Sequence, residues 1–469
     1  MKLALVQQNY KVGDTVANSA KIRQGLAEAH AQGARLVVLA EKAVTGTPLM
    51  GLAQSEAFLR QADKAKAEVE ACAAKLGMQL VTQSGAVEGL QVYCSAVPFR
   101  HGVAEEMREQ ARNEAQALGK PVVWVNPVGA QTGTIYYGGS GVAMPTGEYF
   151  TLPLFEEAVA VVDTDALPVA TSAVWGGRME QLHAALVLGV RDYFAKTGCR
   201  DACIALSGGI DSALVMALAV EALGAEHIKT VMLPSQYSTD HSVADAEEMI
   251  RRVGIPAEQV WLVPIADTFQ TAVNALQPIL DTAPSEKGRG LAEENMQARI
   301  RLMMTMALSN SHGALMLNTS NKSEAAVGYG TLYGDTSGAL SVIGDLYKED
   351  VYALSRHINQ AAEAAGRTAP IPEHILTKAP SAELRPGQKD SDSLPDYPLL
   401  DAILVRLVEG GCSAWQVVDE GFDAETVERV CRLLLSGDFK RFQLPPALQV
   451  SGCTFGVQWQ WPITADKVL

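Results

Sequence analysis

Apolar positions in the first third of the chain switch between short unbroken runs and helical spacing. Residues 3–7, 34–39, 79–82 and 121–125 read as strands, while 16–32, 63–76 and 105–118 carry the i, i+3, i+4 recurrence of amphipathic helices. The stretches 132–134 and 136–140 hold Gly-rich turn signals. A polar, Pro- and Gly-containing stretch over 166–178 then leads into a long helix over 179–196. From there the pattern is strand–helix–strand. Strands are predicted at 202–206, 230–233, 259–263 and 314–318, with helices at 212–223, 242–253 and 296–311, which implies a parallel sheet wrapped by helices. The chain therefore divides into an α/β domain over 1–165, a linker over 166–178 and a second, parallel-sheet α/β domain over 179–469. Residues 282–290 and 384–394, rich in Gly, Pro and charge, are candidate lids or else solvated surface loops.

Composition narrows the function. Among 469 residues, 48% are hydrophobic and 19% charged, enough for a packed core in each half. The net charge of −15 argues against a general nucleic-acid or membrane-surface binder but not against a local phosphate site. The seven cysteines are scattered without a CxxC pair, as expected of thiols in a reducing compartment. The apolar start is too brief for a signal peptide and no run reaches transmembrane length, so a cytoplasmic protein is expected.

The chemistry is concentrated in Ser207-Gly208-Gly209-Ile210-Asp211-Ser212, directly after the apolar strand ending at Leu206. Two glycines permit a tight turn, and the turn N–H groups with the positive helix end form an anion cradle. Ser207 and Ser212 add hydroxyls, and Asp211 places a carboxylate where Mg²⁺ between phosphates would sit. An ordinary Gly-rich strand-to-helix turn with Asp211 as its N-cap is the structural alternative. No GK[ST] follows, so this is not a Walker loop. It resembles the SGGxDS loop of the ATP pyrophosphatases (adenine nucleotide α-hydrolase-like folds), which implies cleavage of ATP between the α and β phosphates.

From about Met179 to Ile463 the chain resembles NAD⁺ synthetases. The similarity runs in order through 233–238, 294–301, Asn318-Thr319-Ser320-Asn321-Lys322-Ser323-Glu324, 328–335, 345–348, 378–384, 392–395 and Lys440-Arg441. It implies that Ser207, Gly208, Gly209, Asp211, Ser212, Thr319, Lys348 and Ser381 bind ATP, and that Asp211 and Glu324 bind Mg²⁺. It further implies that Asn295, Arg299, Glu324, Tyr329, Gly330, Thr331, Leu332, Asp335 and Lys440 hold deamido-NAD⁺, with Asp211, Lys348 and Glu324 at the reacting centre. Singly, Glu324 reads equally well as a helix-start acid and Lys440 as a surface lysine. The family departs here in its tail, where Phe442-Gln443-Leu444-Pro445-Pro446 stands in place of basic residues. A homodimer or larger homo-oligomer is the family's expectation, and no nucleic-acid or membrane partner is expected. Other ATP pyrophosphatase amidotransferases are the alternative class.

The first domain resembles the nitrilase-like glutaminase domain of two-domain members. Glu41, Thr45-Gly46-Thr47-Pro48, Ser95-Ala96-Val97-Pro98-Phe99, Arg108, 121–129 and Gly138-Gly139-Ser140 carry the similarity. Such an amidase joins Glu, Lys and Cys at one thioester site. Here the chain passes from Gly85 to Ser95 in ten residues, so the stretch that would hold the Lys and Cys is missing. Cys94 lacks the acidic and Trp neighbours of the family's nucleophile. The expectation is a degenerate domain and ammonia, free or from a separate glutaminase, as nitrogen donor. A bifunctional enzyme using Cys94 unconventionally is the alternative.

Overall fold

The computed structural model describes residues 1–466, so the last three residues of the domain expected over 179–469 lie outside the described residues. It divides into two compact units, Met1–Lys196 and Thr197–Leu469.

The first unit runs β1 (Lys2–Gln7), α1 (Thr15–Ala31), β2 (Leu36–Leu39), α2 (Glu56–Lys75), β3 (Gln79–Val81), β4 (Gly85–Val87), β5 (Leu90–Cys94), α3 (Val103–Leu118), β6 (Val122–Val125), β7 (Val128–Gln131), β8 (Thr134–Tyr137), β9 (Gly141–Ala143), β10 (Tyr149–Thr151), β11 (Ala158–Asp163) and α4 (Arg178–Thr197). One sheet has the order β11-β1-β2-β3 and the other β10-β9-β6-β5-β4. Their inner faces share one core, in which Leu5, Val38, Val92, Val123 and Val142 are wholly buried. The outer side of the second sheet is closed by Ala111 and Ala115 of α3 against Val122 and Trp124.

Several elements differ from the sequence expectation. α2 begins at Glu56 rather than at 63, because the Ser55 hydroxyl accepts from Phe58 N and Phe58 turns inward. Gly133 sits in the turn of a hairpin, β7–β8, and Gly138 just after it bridges to Leu154 rather than lying in an open turn. The unit boundary falls after the helix expected to open the second domain. α4 is tied into the first unit: Asp192 accepts from Asn9 Nδ2 at 2.8 Å, and Lys196 Nζ donates to Asn9 Oδ1 at 2.6 Å and Ala130 O at 2.7 Å.

The second unit opens with β12 (Ala202–Ala205), α5 (Ile210–Leu223), β13 (Ile228–Met232), α6 (Asp240–Val253), β14 (Val260–Leu262), α7 (Ala266–Leu280), α8 (Glu286–His312), β15 (Leu315–Asn318), α9 (Lys322–Val327), β16 (Leu340–Ser341) and α10 (Lys348–Ala364). Five short helices follow: α11 (Glu373–Thr377), α12 (Tyr397–Leu404), α13 (Ala414–Asp419), α14 (Ala424–Ser436) and α15 (Asp438–Arg441). The sheet order is β14-β13-β12-β15-β16, parallel throughout. α5 reads almost continuously apolar because both its faces are covered, from Ala213 to Ala219. The strand order reverses between β12 and β15, and a doubly wound sheet opens its ligand crevice at the carboxyl ends of such a pair.

The segment 282–290 is not a lid loop. α8 already starts at Glu286: Ser285 Oγ accepts from Gly288 N at 3.1 Å, and Arg289 pairs with Glu293 and Asp281. The two glycines that suggested a loop, Gly288 and Gly290, are the third and fifth residues of this helix, close to its N-terminus. The segment 384–394 is irregular apart from a single 3₁₀ turn, Asp390–Asp392. No helix among the described residues is long and apolar enough to cross a membrane.

Candidate functional site

A cavity of about 320 Å³ lies at the carboxyl ends of β12, β13 and β15. The loop after β12 forms its floor. Gly208 has φ +75, and a Cβ there would lie 2.2 Å from the Ser242 carbonyl oxygen, so only glycine fits between this loop and the start of α6. Ser207 and Ser212 lock the loop. Their hydroxyls are 3.1 Å apart, Ser207 Oγ accepts from Gly209 N at 3.2 Å, and Ser212 Oγ donates to Gly209 O at 3.1 Å. No side-chain cap holds the start of α5, and its first residues, Ile210, Asp211 and Ser212, line the same cavity, as an anion site at a helix start requires.

Asp211, Glu324 and Lys348 come from three separate elements and meet at one point. Lys348 Nζ is 2.5 Å from Asp211 Oδ2 and 3.2 Å from Glu324 Oε1. Asn321 Nδ2 donates to Asp211 Oδ1 at 2.9 Å. Asn321 and Glu324 also form the capping box of α9, with Asn321 Oδ1 accepting from Glu324 N and Glu324 Oε2 from Asn321 N. Glu324 is thus both a helix-start acid and a site residue. Lys348 is buried at the first position of α10, where the helix dipole disfavours a cation. Its carboxylate partners and the Tyr397 ring, 5.1 Å away, hold it there, and Asp211 and Glu324 raise its pKa against the burial that would lower it. Burial pushes the Glu324 carboxyl up to about 8, with Asp211 and Asp390 nearby adding to the rise and Lys348 opposing it.

The other expected residues separate into two groups. Thr319, Ser381, Tyr329 and Asp335 line the main cavity with Ser207, Gly209, Asp211, Ser212, Glu324 and Lys348. Asn295, Arg299, Gly330, Thr331, Leu332 and Lys440 form an adjoining cluster. Thr331 Oγ1 donates to Asn295 Oδ1 at 2.7 Å, and Arg299 Nε donates to Leu332 O at 3.2 Å. Lys440 Nζ donates to the Gly328 and Gly330 carbonyls, each at 2.7 Å. Asp335, which accepts from Thr331 N at 2.5 Å, joins the two groups, and burial raises its carboxyl pKa.

Three site features were missed in the sequence. Asp390 reaches into the cavity and accepts from Tyr329 and Tyr397 hydroxyls at 3.1 and 2.9 Å. Gln297 Nε2 donates to Leu384 O at 2.9 Å, and Ser242 Oγ donates to Glu383 Oε1 at 2.7 Å. Together these bonds fasten the strap formed by 378–394 across the cavity. A buried acid or amide inside a polar run gives no local signal. The third feature, the Asn321 bridge to Asp211, could have been found from the capping-box spacing before a short helix.

In the first unit, Cys94 ends β5 with its thiol 3.8 Å from Val81 O, buried in the core. Burial, helped by the charge of Glu41, pushes its pKa up to about 12. The turn Glu88-Gly89, both at positive φ, closes β4 onto β5 as a two-residue hairpin. Glu41 is half exposed and pairs with Lys42 at 3.5 Å, and Lys75 is exposed on α2.

Known proteins resemble the chain over these same regions. The family model for NAD synthase matches residues 182–445, more than half of the chain. A glutamine-dependent NAD⁺ synthetase of Synechocystis is 41% identical over 383 residues, covering 80% of this chain and 66% of the relative. One from Thermotoga maritima is 36% identical over 409 residues, covering 79% of this chain and 69% of its own length. The chain thus spans about two thirds of the length of the curated relatives it matches. Among solved structures, a glutamine-dependent NAD⁺ synthetase of Acinetobacter baumannii in complex with ADP superposes with a TM-score of 0.73 at 28% identity, covering 98% of each chain. A match that takes in the loop after β12, the α9 capping box and Lys348 together leaves one assignment: the chain belongs to the NAD synthase family.

Proposed function

We propose that the protein is an NAD⁺ synthetase that amidates deamido-NAD⁺ at the expense of ATP, releasing AMP and pyrophosphate. A nicotinate carboxylate oxygen attacks the α-phosphorus of ATP, and the bond to the pyrophosphate oxygen breaks with its electron pair. Ammonia then attacks the acyl carbon of the adenylate, loses a proton, and AMP leaves. The observation that carries this reading is the convergence of Asp211, Glu324 and Lys348 beside a loop built around Gly208. The similar Acinetobacter baumannii structure holds ADP, which accords with an adenine nucleotide in the cavity. The chain supplies no nucleophile. It positions two polyanions and compensates their charge.

The donor set fits Mg²⁺. Asp211 and Glu324 already share one cationic partner, and hard oxygen donors suit this ion. Among the described residues no group of three or more His, Cys, Asp or Glu is placed to hold a metal, so phosphate oxygens and water would complete the shell. Bound there, the ion would neutralise charge on the phosphates.

Ammonia is the proposed nitrogen donor. Cys94 is a core thiol with its thiolate strongly disfavoured, and the β4–β5 hairpin leaves no loop between Gly85 and Ser95 to carry a nucleophile. NAD⁺ formation from deamido-NAD⁺ and MgATP, with ammonium or glutamine supplied separately, tests both parts. Ammonium-only turnover supports them. Equal turnover with glutamine in an ammonia-free preparation overturns the donor assignment, and no turnover with either overturns the synthetase.

A further inference from the structure

The cavity is lined by three cationic side chains, Arg301, Lys348 and Lys378. Two of them are already committed: Lys348 to Asp211 and Glu324, and Lys378 to Asp245 at 3.1 Å. Arg301 is not. Its Nε donates to the Leu233 carbonyl at 3.0 Å at the end of β13, and among the described residues it forms no ion pair. This single bond fixes the guanidinium plane and leaves the two terminal nitrogens available.

Helical spacing sets which way the side chain faces. Ala298, Arg301, Leu302 and Thr305 of α8 line the cavity, whereas Arg299 turns to Leu332 O in the adjoining cluster. The acidic groups that act on Arg301 from other elements are Glu383 of the strap and Asp335, the residue that joins the two groups of the site. Arg301 therefore stands where the nucleotide cavity borders the proposed dinucleotide cluster. Any reaction that links two anionic substrates needs positive charge at that border. A planar guanidinium suits two non-bridging phosphoryl oxygens better than an ammonium does.

We infer that Arg301 is a catalytic residue that grips the α-phosphoryl oxygens of ATP as the acyl adenylate forms, an inference that rests on the synthetase reading above. When the substrate carboxylate oxygen attacks the α-phosphorus and the bond to pyrophosphate breaks, the electron pair leaves with pyrophosphate. The negative charge on the two non-bridging oxygens of the α-phosphoryl group stays at the fork. An arginine that only braced the end of β13 through Leu233 O would leave the chemistry unaffected.

The test uses the full chain with Arg301→Met and Arg301→Lys. Its readouts are MgATP affinity by calorimetry, and exchange of labelled pyrophosphate into ATP with deamido-NAD⁺ present and ammonium absent. Arg301→Met should leave the MgATP dissociation constant within about threefold and slow exchange about 10²–10³-fold, the usual cost of losing one donor to a charged transition state. Guanidinium ion added at millimolar levels should restore a measurable part of the exchange, which a bracing role would not allow. Exchange within threefold of the parent, or MgATP affinity falling by the same factor as exchange, overturns the inference. If Arg301→Met does not fold, Arg301→Lys decides: full exchange in that variant overturns the inference, and a loss of about tenfold or more with MgATP binding kept supports it. A parent protein that binds MgATP but shows no exchange overturns the synthetase reading itself, and this inference falls with it.

Discussion

Each unit brings a carboxylate close to a second reactive group, and the two treat it in opposite ways. In the second unit Asp211 and Glu324 share the ammonium of Lys348, and all three face a cavity. In the first, burial and then the charge of Glu41 disfavour the Cys94 thiolate, and the thiol faces the core. A charge next to a group creates reactivity only when its sign stabilises the reactive form and the group can be reached. The second unit meets both conditions and the first meets neither, although each keeps its family's short motifs.

The largest effect should come from Lys348→Met. It leaves Asp211 and Glu324 facing each other without their common cation. We expect stability to fall by about 3–5 kcal/mol, as when one partner of a buried pair is removed, and turnover to fall about 10²–10³-fold. Urea unfolding and NAD⁺ formation from ammonium measure the two. A variant as stable as the parent would mean that the cluster is not held by charge, and the contrast between the units would lose its basis.

Glu324 sharpens the contrast through pH. Its carboxyl is raised to about 8 in the folded protein, so between its ordinary value and about 8 the folded state binds the extra proton. The contribution of this group to stability is therefore fully present at low pH and is lost as pH rises through about 8. Binding a metal ion needs the ionised form, so MgATP binding should release a proton below that pH. Calorimetry in buffers of different ionisation enthalpy reads the release directly. Glu324→Gln should abolish it and flatten the acid limb of the activity profile.

The sequence made the second unit legible where the chemistry is contiguous. Ser207 to Ser212 lie in one turn after one strand, so their spacing alone marked an anion cradle; 318–324 lie in one strand end and one capping box, a contiguous segment that the family resemblance could match as a block. What it could not place is what folding assembles. Arg301, Gln297 and Asp390 take their roles from partners 68, 87 and 61 residues away. α8 was under-read because Gly288 and Gly290 resemble loop residues until Ser285 caps the helix start beside them. In the first unit the short motif around Glu41 was legible, but whether Cys94 points outward or inward depends on strand register. Period-2 alternation within a five-residue strand does not settle that.

Cys94→Ala is a smaller perturbation and a direct one. Losing a buried sulfur should cost about 1 kcal/mol in stability, with ammonium-supported turnover unchanged. In the intact parent protein at pH 8, iodoacetamide should modify Cys94 far more slowly than the partly exposed Cys72. Fast labelling of Cys94, read by peptide mass spectrometry, would show an accessible thiolate and reopen the glutaminase question.

The smallest expected effect belongs to Glu41→Gln. Glu41 is half exposed and, among the described residues, its only ion pair is with the adjacent Lys42, so its removal should change stability by less than about 0.5 kcal/mol. Its charge disfavours the Cys94 thiolate and, more weakly than burial does, the ionised Tyr136 phenol. Neutralising it should therefore make Cys94 slightly easier to alkylate, with turnover from ammonium the same. A general base in a working amidase would behave in the opposite way: its loss would abolish glutamine-supported turnover and make the cysteine less reactive. The direction of the change in Cys94 labelling separates the two cases even in a preparation with no measurable glutaminase activity. Slower labelling in Glu41→Gln would mean that the carboxylate activates the thiol, and that the two units are more alike than their geometry indicates.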